Sequence, residues 1–172
     1  MNESVLPDEL LAAARRVVEE NIAAKRRVAV AESCTGGLVC AALTEIAGSS
    51  AVFEFGFVTY ANEAKIATLG VSRDVLDTFG AVSIATAWSM AQGALAKSGA
   101  DVAVAITGVA GPGGGSEKKP VGTVVFARAE KGGNPADVVA DRRQFGDLGR
   151  AGIRLQAALC ALELLMPVEP SP

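Results

Sequence analysis

Apolar residues recur at three- and four-residue spacing in six segments, the pattern that places them on one face of a helix. Five shorter segments are rich in β-branched, aromatic or small apolar residues, and this composition predicts strands. The helices are predicted at about 8–22, 35–46, 61–69, 72–79, 84–97 and 150–166. The strands are predicted at about 27–32, 52–60, 101–107, 121–129 and 138–145.

Local signals refine several of these elements. Ser72 and Ser83 are predicted to cap the helices that follow them. The segment 101–107 is continuously apolar, which is typical of a strand covered on both faces. The last two strands are joined by a polar loop and predict a hairpin, and the charged run at 141–143 predicts a water-facing edge.

The order of these elements, α-β-α-β-α-α-β-β-β-α, predicts an α/β fold. We expect a single three-layer α/β/α domain with a mixed, mostly parallel sheet. The domain is predicted to span residues 1–172, with its core at about 10–165 and a frayed tail at 167–172.

Composition limits the chemistry more sharply than it limits the fold. Half of the 172 residues are apolar and a fifth are charged, enough for a proper core. The chain has no histidine, which excludes a Ser-His-Asp triad, a Cys-His dyad and a histidine metal site. The three cysteines form no C-x-x-C motif, so neither a zinc ribbon nor a disulfide framework is indicated. A general base must therefore be Lys, Tyr, Asp, Glu or Cys.

Charge and hydropathy indicate the class of partner. Lys and Arg number 16 against 19 Asp and Glu, a net charge of −3, and this balance argues against nucleic-acid binding. No apolar run approaches the roughly 20 residues of a membrane span, and the N-terminus lacks the apolar stretch of a signal peptide. We expect a cytoplasmic protein with no membrane partner. Its small size and apolar surplus favour a homo-oligomer.

Three strand exits carry unusual residues, and ligands of open α/β sheets bind beyond the carboxyl ends of strands. They are AESCTGG at 31–37, VTYANEAK at 58–65 and AITGVAGPGGG at 105–115. In the first, Ser33 would be a nucleophile beside the unpaired N–H groups that open a helix. The alternative is that Ser33 or Thr35 only caps that helix and the glycines pack it against the sheet.

The second exit offers a base. Lys65 can accept a proton only if burial or nearby positive charge lowers its pKa, and Tyr60 could then orient it or relay the proton. The alternative is a surface lysine on an amphipathic helix. Together, Ser33 and Lys65 would form a serine hydrolase site that replaces histidine with lysine.

The third exit and the last helix offer anion sites. The glycine loop after Thr107 could form a backbone nest for an anion, although it matches neither a P-loop nor a dinucleotide fingerprint. Arg150 and Arg154 share one face at the start of the last helix, where a bound phosphate or carboxylate would suit them. The alternatives are an exposed loop and solvated arginines.

The motifs AESCTGG, GFVTYANEAK, FGAVS and AITGVAGPGGGSEKKPVGTV, in this order, resemble the CinA C-terminal domain family, also called the nicotinamide-nucleotide amidase family. The resemblance runs from about residue 10 to 165 and indicates the stand-alone form, without the molybdopterin-binding-like N-terminal domain. It implies hydrolysis of the carboxamide of nicotinamide mononucleotide to nicotinate mononucleotide and ammonia. It implies no metal and no organic cofactor.

The resemblance also implies residue roles: Ser33 as nucleophile, Lys65 as base and Tyr60 as its partner. Thr107 is expected in the pocket, and Arg150 is expected to hold substrate. Adding the strand exits themselves, we expect substrate binding by Cys34, Thr35, Gly36, Gly37, Thr107, Gly108 and Arg150. Two alternatives to this scheme remain open: Cys34 as nucleophile, and a nucleotide-sensing or protein-partner domain, linked to competence or DNA damage, that lacks turnover. A DNA-handling role is the weakest reading because of the acidic charge balance.

Overall fold

The computed structural model describes residues 4–168 and places six α-helices and one short 3-10 helix among them. Each α-helix lies where the apolar periodicity predicts one. Part of the predicted frayed tail, residues 169–172, lies outside the described residues. The helices are α1 (Asp8–Ala23), α2 (Leu38–Thr44), the 3-10 helix (Ser49–Ala51), α3 (Asn62–Leu69), α4 (Arg73–Phe79), α5 (Ile84–Ser98) and α6 (Gly149–Leu164).

All five predicted strands are present and form one sheet. The strands are β1 (Val28–Glu32), β2 (Phe53–Val58), β3 (Val102–Gly108), β4 (Thr123–Glu130) and β5 (Ala140–Gln144). Their order across the sheet is β2-β1-β3-β4-β5. The β2–β1 and β1–β3 pairings are parallel, whereas β3–β4 and β4–β5 are antiparallel. The predicted mixed sheet is confirmed: β4 alone runs against the other four strands.

The two faces of the sheet carry different side chains. Along β1 and β3, valine and isoleucine face α1, α2 and α6, whereas alanine faces α3, α4 and α5. Small alanines let α5 lie close to the sheet. The packing is also tight between α5 and α3, because a Cβ on Gly93 would lie 2.0 Å from the carbonyl oxygen of Leu69. The sheet is thus the middle of three layers.

Several local predictions are confirmed. The hydroxyls of Ser72 and Ser83 accept hydrogen bonds from the amides of Val75 and Thr86, so both serines cap their helices. Nearly all of β3 is buried, and β5 is an exposed edge strand that forms a hairpin with β4. Within residues 4–168, no helix combines the length and apolar character needed to cross a membrane.

One boundary differs from its prediction in a way that matters for function. Helix α2 begins at Leu38 rather than at Thr35. Residues 34–37 form a turn between β1 and α2, and Gly36 and Gly37 have φ values of 59° and 98°, which favour glycine. The nucleophile predicted at Ser33 therefore precedes a tight turn rather than a helix.

Candidate active site

Strand order brings the three unusual strand exits together. The last residue of β1, Glu32, pairs with Val58 on β2 and with Ile106 on β3. Because these three strands are parallel, Ser33 and Thr59, which follow β1 and β2, lie at the same edge of the sheet as Thr107 near the end of β3. The FGAVS segment also reaches this edge, since the Thr107 hydroxyl donates a hydrogen bond to the carbonyl of Ala81.

Ser33 and Lys65 are in direct contact. Lys65 Nζ lies 2.9 Å from Ser33 Oγ, and it donates hydrogen bonds to the carbonyls of Thr59 at 2.8 Å and Tyr60 at 3.1 Å. Lys65 lies on the second turn of α3, whose N-terminus follows directly from the end of β2. The predicted neighbourhood of serine and lysine is present in the structure.

Lys65 is not the surface lysine of the alternative interpretation. Its side chain is among the largest that are fully buried in the described part of the chain, with 1% exposure. Burial lowers the pKa of the Lys65 ammonium, because desolvation penalises the charged form. No carboxylate within residues 4–168 forms a salt bridge with it. These conditions favour a neutral amine, the form that can accept a proton.

Glu32 organises the turn that follows Ser33. Its carboxylate is fully buried and accepts hydrogen bonds from the amides of Gly37, Val39 and Cys40 at 3.0, 3.2 and 2.9 Å. These amides lie at the N-terminus of α2, where a helix leaves its first N–H groups without a partner inside the helix. The sequence predicts a ligand there, but the Glu32 carboxylate occupies the position. Gly37 is therefore unavailable to substrate through its amide.

Arg154 holds the same turn from α6, which packs on the same face of the sheet as α2. Its guanidinium, on α6, donates to the carbonyls of Cys34 at 3.2 Å and Thr35 at 2.9 Å. The pair of arginines predicted to share a helix face thus has two separate tasks, since Arg154 binds protein backbone. Arg150 instead reaches the cavity beside Ser33.

Tyr60 faces Arg150 rather than Lys65. The Arg150 guanidinium donates to the Tyr60 hydroxyl at 3.1 Å and to the carbonyl of Gly111 at 2.6 Å. The contact between Tyr60 and Lys65 is made by the Tyr60 backbone carbonyl. The structure therefore gives the predicted relay through the tyrosine hydroxyl no support, and places that hydroxyl beside a cation at the cavity mouth.

Gly108 is constrained by close packing. A Cβ at this position would lie 2.8 Å from a methyl group of Val124, 2.9 Å from the carbonyl oxygen of Thr123 and 3.1 Å from Cys34 Sγ. A larger residue at position 108 would clash with β4 and with Cys34, in the turn that follows Ser33. Beyond Gly108, most of the glycine loop is exposed, and its Gly111 carbonyl holds Arg150.

Most of the predicted site residues line one cavity of about 210 Å³. Seven of the predicted site residues line it, together with Ala81, Val82 and Ala110: Ser33, Cys34, Tyr60, Lys65, Thr107, Gly108 and Arg150. Thr35, Gly36 and Gly37 do not line the cavity. Their contribution is to shape the turn. Of the two side chains that bind this turn, Glu32 has no role predicted from the sequence, and Arg154 is predicted as a candidate anion site but binds backbone carbonyls.

Cys34 is poorly suited to be the nucleophile. Burial raises the pKa of its thiol to about 11, so the thiol is protonated near neutral pH. The thiolate is the nucleophilic form of cysteine. Ser33, by contrast, already touches the buried amine.

Known proteins match the chain along most of its length. The family model described as CinA C-terminal domain matches residues 11–168. A nicotinamide-nucleotide amidohydrolase PncC from Enterobacter agglomerans is 54% identical over 137 residues, covering 79% of this chain and 80% of that protein. The Escherichia coli K12 protein of the same name is 48% identical over 157 residues, covering 91% and 93%.

Other relatives are longer or carry different names. A CinA-like protein from Akkermansia muciniphila is 58% identical over 135 residues, which cover 74% of this chain but only 33% of that relative. The chain thus spans about a third of that relative's length. The fold of this chain matches the crystal structure of competence/damage inducible protein CihA from Agrobacterium tumefaciens with a TM-score of 0.89 and 52% identity. The match covers 94% of this chain and 96% of that one. By sequence and by fold, this chain belongs to the CinA C-terminal domain family.

Proposed function

We propose that this protein hydrolyses the carboxamide of nicotinamide mononucleotide to nicotinate mononucleotide and ammonia, with Ser33 as nucleophile and Lys65 as general base. The observation that carries the proposal is the 2.9 Å contact between the Ser33 hydroxyl and the amine of Lys65. This amine is buried and forms no salt bridge within residues 4–168. The names of the two PncC relatives support the substrate class. The scheme requires neither a metal nor an organic cofactor.

The three neighbours of Lys65 suit a neutral amine. The carbonyls of Thr59 and Tyr60 can only accept hydrogen bonds, so they take both hydrogens of a neutral NH₂ group. The lone pair of this neutral form would then face Ser33 Oγ at 2.9 Å, and the serine hydroxyl would donate to it. A neutral Lys65 in this arrangement is ready to take the serine proton.

The amide of Cys34, a residue that lines the cavity, is free to stabilise an oxyanion. The Ser33 amide donates to the carbonyl of Ile106, and the Gly36 amide donates to the carbonyl of Ser33. Within the described residues, the amides of Cys34 and Thr35 donate to no other residue. Loss of one oxyanion donor typically costs about 3 kcal/mol in the transition state.

The first half of the reaction forms an acyl-enzyme. Ser33 Oγ bonds to the amide carbon while its proton passes to Lys65 Nζ, giving a tetrahedral oxyanion. The carbon–nitrogen bond then breaks, and the Lys65 proton moves to the leaving nitrogen, which departs as ammonia. Ser33 is left as an ester of the nicotinate group, and Lys65 is neutral again.

Water completes the second half. Lys65 takes a proton from the attacking water, whose oxygen bonds to the ester carbon. The bond between that carbon and Ser33 Oγ breaks, and Lys65 returns the proton to the serine. One amide and one water have become one carboxylic acid and one ammonia, and the enzyme is unchanged.

Arg150 is the candidate holder of the nucleotide phosphate. It is the cation that lines the cavity beside Lys65, and its two hydrogen bonds aim it across the cavity mouth. Arginine binds phosphate with charge-assisted, often bidentate hydrogen bonds. The phosphate would replace the Gly111 carbonyl or the Tyr60 hydroxyl as partner of the guanidinium. Thr107 lines the same cavity and retains acceptor capacity on its hydroxyl.

Ammonia release tests the proposal directly. The purified chain is incubated with nicotinamide mononucleotide, with other pyridine nucleotides and with free nicotinamide, and ammonia is measured over time. We expect release from the mononucleotide that disappears in Ser33→Ala. Calorimetric binding of the nucleotide without ammonia release would instead favour the nucleotide-sensing domain. The expected homo-oligomer and cytoplasmic location stay predictions, checked by sedimentation and cell fractionation.

A further inference from the structure

The nucleophile turn, residues 33–37, is held by two charged side chains that lie outside the cavity. Glu32 precedes Ser33 in the chain, and Arg154 comes from α6, more than a hundred residues away. Neither residue lines the cavity that contains Ser33 and Lys65. Any effect they have on the reaction must therefore pass through the turn.

The two side chains bind different kinds of backbone group in the turn, one the amides and the other the carbonyls. Glu32 takes amides, including that of Gly37, whereas Arg154 takes the carbonyls of Cys34 and Thr35. The carbonyls of Cys34 and Thr35 face α6, and within residues 4–168 the amide of Cys34 donates to no other residue.

The Thr35 carbonyl that Arg154 binds shares a peptide plane with the Gly36 amide. This amide donates to the Ser33 carbonyl, which shares a peptide plane with the Cys34 amide. Arg154 thus orients the Cys34 amide through one linking peptide.

Charge strengthens both attachments. A hydrogen bond to a charged group is roughly twice as strong as a neutral one. A fully buried carboxylate also requires such partners, because burying it unpaired is costly. Glu32 satisfies this requirement with three amides of one short helix, and so it fixes the start of α2 relative to Ser33.

We propose that Glu32 and Arg154 are positioning residues that hold the Cys34 amide where the oxyanion forms. The inference rests on the proposed function, since the oxyanion belongs to the amide hydrolysis. It assigns neither residue a contact with substrate. Their loss should therefore lower kcat with little change in KM, because the Cys34 amide acts on the transition state more than on bound substrate.

The test compares Glu32→Gln, Arg154→Met and Arg154→Lys with the wild type. We expect kcat to fall about 100-fold in Glu32→Gln and Arg154→Met, the usual cost of a displacement of about 1 Å, with KM changed by less than about threefold. Arg154→Lys should recover part of the loss, since an ammonium can still donate to one of the two carbonyls.

Matched controls remove the same charges elsewhere. Glu20→Gln and Arg15→Met lie on exposed positions of α1 and should keep wild-type kcat and KM. Circular dichroism and the thermal midpoint identify variants that fail to fold. If Glu32→Gln does not fold, the half-buried Arg154 decides the question. Folded variants with wild-type kcat, or with raised KM and unchanged kcat, would overturn the inference.

A second readout separates this inference from the proposed function. An aryl sulfonyl fluoride labels an activated serine and forms its own oxyanion-like transition state, and mass spectrometry measures the rate at Ser33. If the wild type releases no ammonia, the proposed function fails and labelling still decides the positioning role. Labelling at least about tenfold slower in Glu32→Gln and Arg154→Met supports it, and equal rates contradict it.

Discussion

Two neighbouring cavities of this protein contain the same three kinds of polar residue but differ in what those residues can do. The smaller one, about 210 Å³, holds Ser33, Lys65 and Arg150. A larger groove of about 880 Å³ holds Ser89, Lys119 and Arg142 among mostly apolar side chains. The two are adjacent, because Val82 lines both.

The difference lies in burial and contact. Lys65 is 1% exposed and touches the Ser33 hydroxyl, whereas Lys119 is only partly buried and donates to the carbonyl of Phe79. A solvated ammonium stays charged at neutral pH and cannot act as a base. Neither the residue types nor the size of a cavity therefore identifies the candidate active site. What distinguishes it is a buried amine in contact with a hydroxyl.

Replacing the serine in each cavity should give the largest contrast. Ser33→Ala removes the nucleophile, and kcat for ammonia release should fall by roughly 10⁴-fold or more. Ser89→Ala makes the same change in the groove and should leave kcat unaltered. Steady-state kinetics with nicotinamide mononucleotide measures both. Equal activity in the two variants would remove Ser33 from the mechanism.

Replacing the lysines should give the next largest contrast. Lys65→Met removes the base and should lower kcat by about 10³-fold, within the range of general base catalysis. Lys119→Met loses the same charge and should stay near wild type. Because the neutral amine is the active form, wild-type activity should rise with pH through the lowered pKa of Lys65. A pH profile without this rise would contradict the assigned base.

The same lysine should affect stability in a pH-dependent way. Its pKa is lower in the folded chain than the 10.5 of a solvated lysine, so between these values the unfolded chain binds more protons. Lys65 therefore contributes a free energy of unfolding that rises with pH across that window. Denaturant titrations should show the wild type gaining stability relative to Lys65→Met as pH increases there, and no gain relative to Lys119→Met.

Replacing the arginines should affect binding more than turnover. Arg150→Met should raise KM for nicotinamide mononucleotide by about 10- to 100-fold, the value of one charge-assisted hydrogen bond. Nicotinamide riboside lacks the phosphate, so its kinetics should change much less. Arg142→Met is the control in the groove. A similar loss with both substrates would show that Arg150 does not hold the phosphate.

The cysteine beside the nucleophile should give the smallest effect. The raised pKa of Cys34 keeps its thiol protonated, so Cys34→Ala should change kcat by less than about threefold. Ammonia release by this variant is compared with that of Ser33→Ala in the same assay. A loss as large as that of Ser33→Ala would make the thiol the nucleophile.

Much of the architecture follows from patterns within short stretches of sequence. Helical spacing predicts all six α-helices, and the hydroxyl positions of Ser72 and Ser83 correctly predict two caps. The strand exits correctly indicate where Ser33 and Lys65 lie, because parallel strands end at one edge. Local periodicity and strand polarity are properties of the nearby chain, and the sequence displays them directly.

The roles of other residues depend on partners that are distant in the chain. The sequence alone could not show that the Tyr60 hydroxyl meets Arg150, that Arg154 binds the Ser33 turn, or that Glu32 closes the N-terminus of α2. A hint was present in the acidic residue just before the turn, since carboxylates suit helix N-termini. Which side chain reaches those amides is decided by packing.

By itself, the sequence determined the order of helices and strands, the absence of histidine and the family to which the chain belongs. Only the tertiary structure decided that the Lys65 side chain is shielded from water. Its hydration depends on the helices and loops that cover it, which come from several parts of the chain. A lysine in the same motif, left in water, would be a surface cation; buried against Ser33, Lys65 has the environment that the proposed base requires.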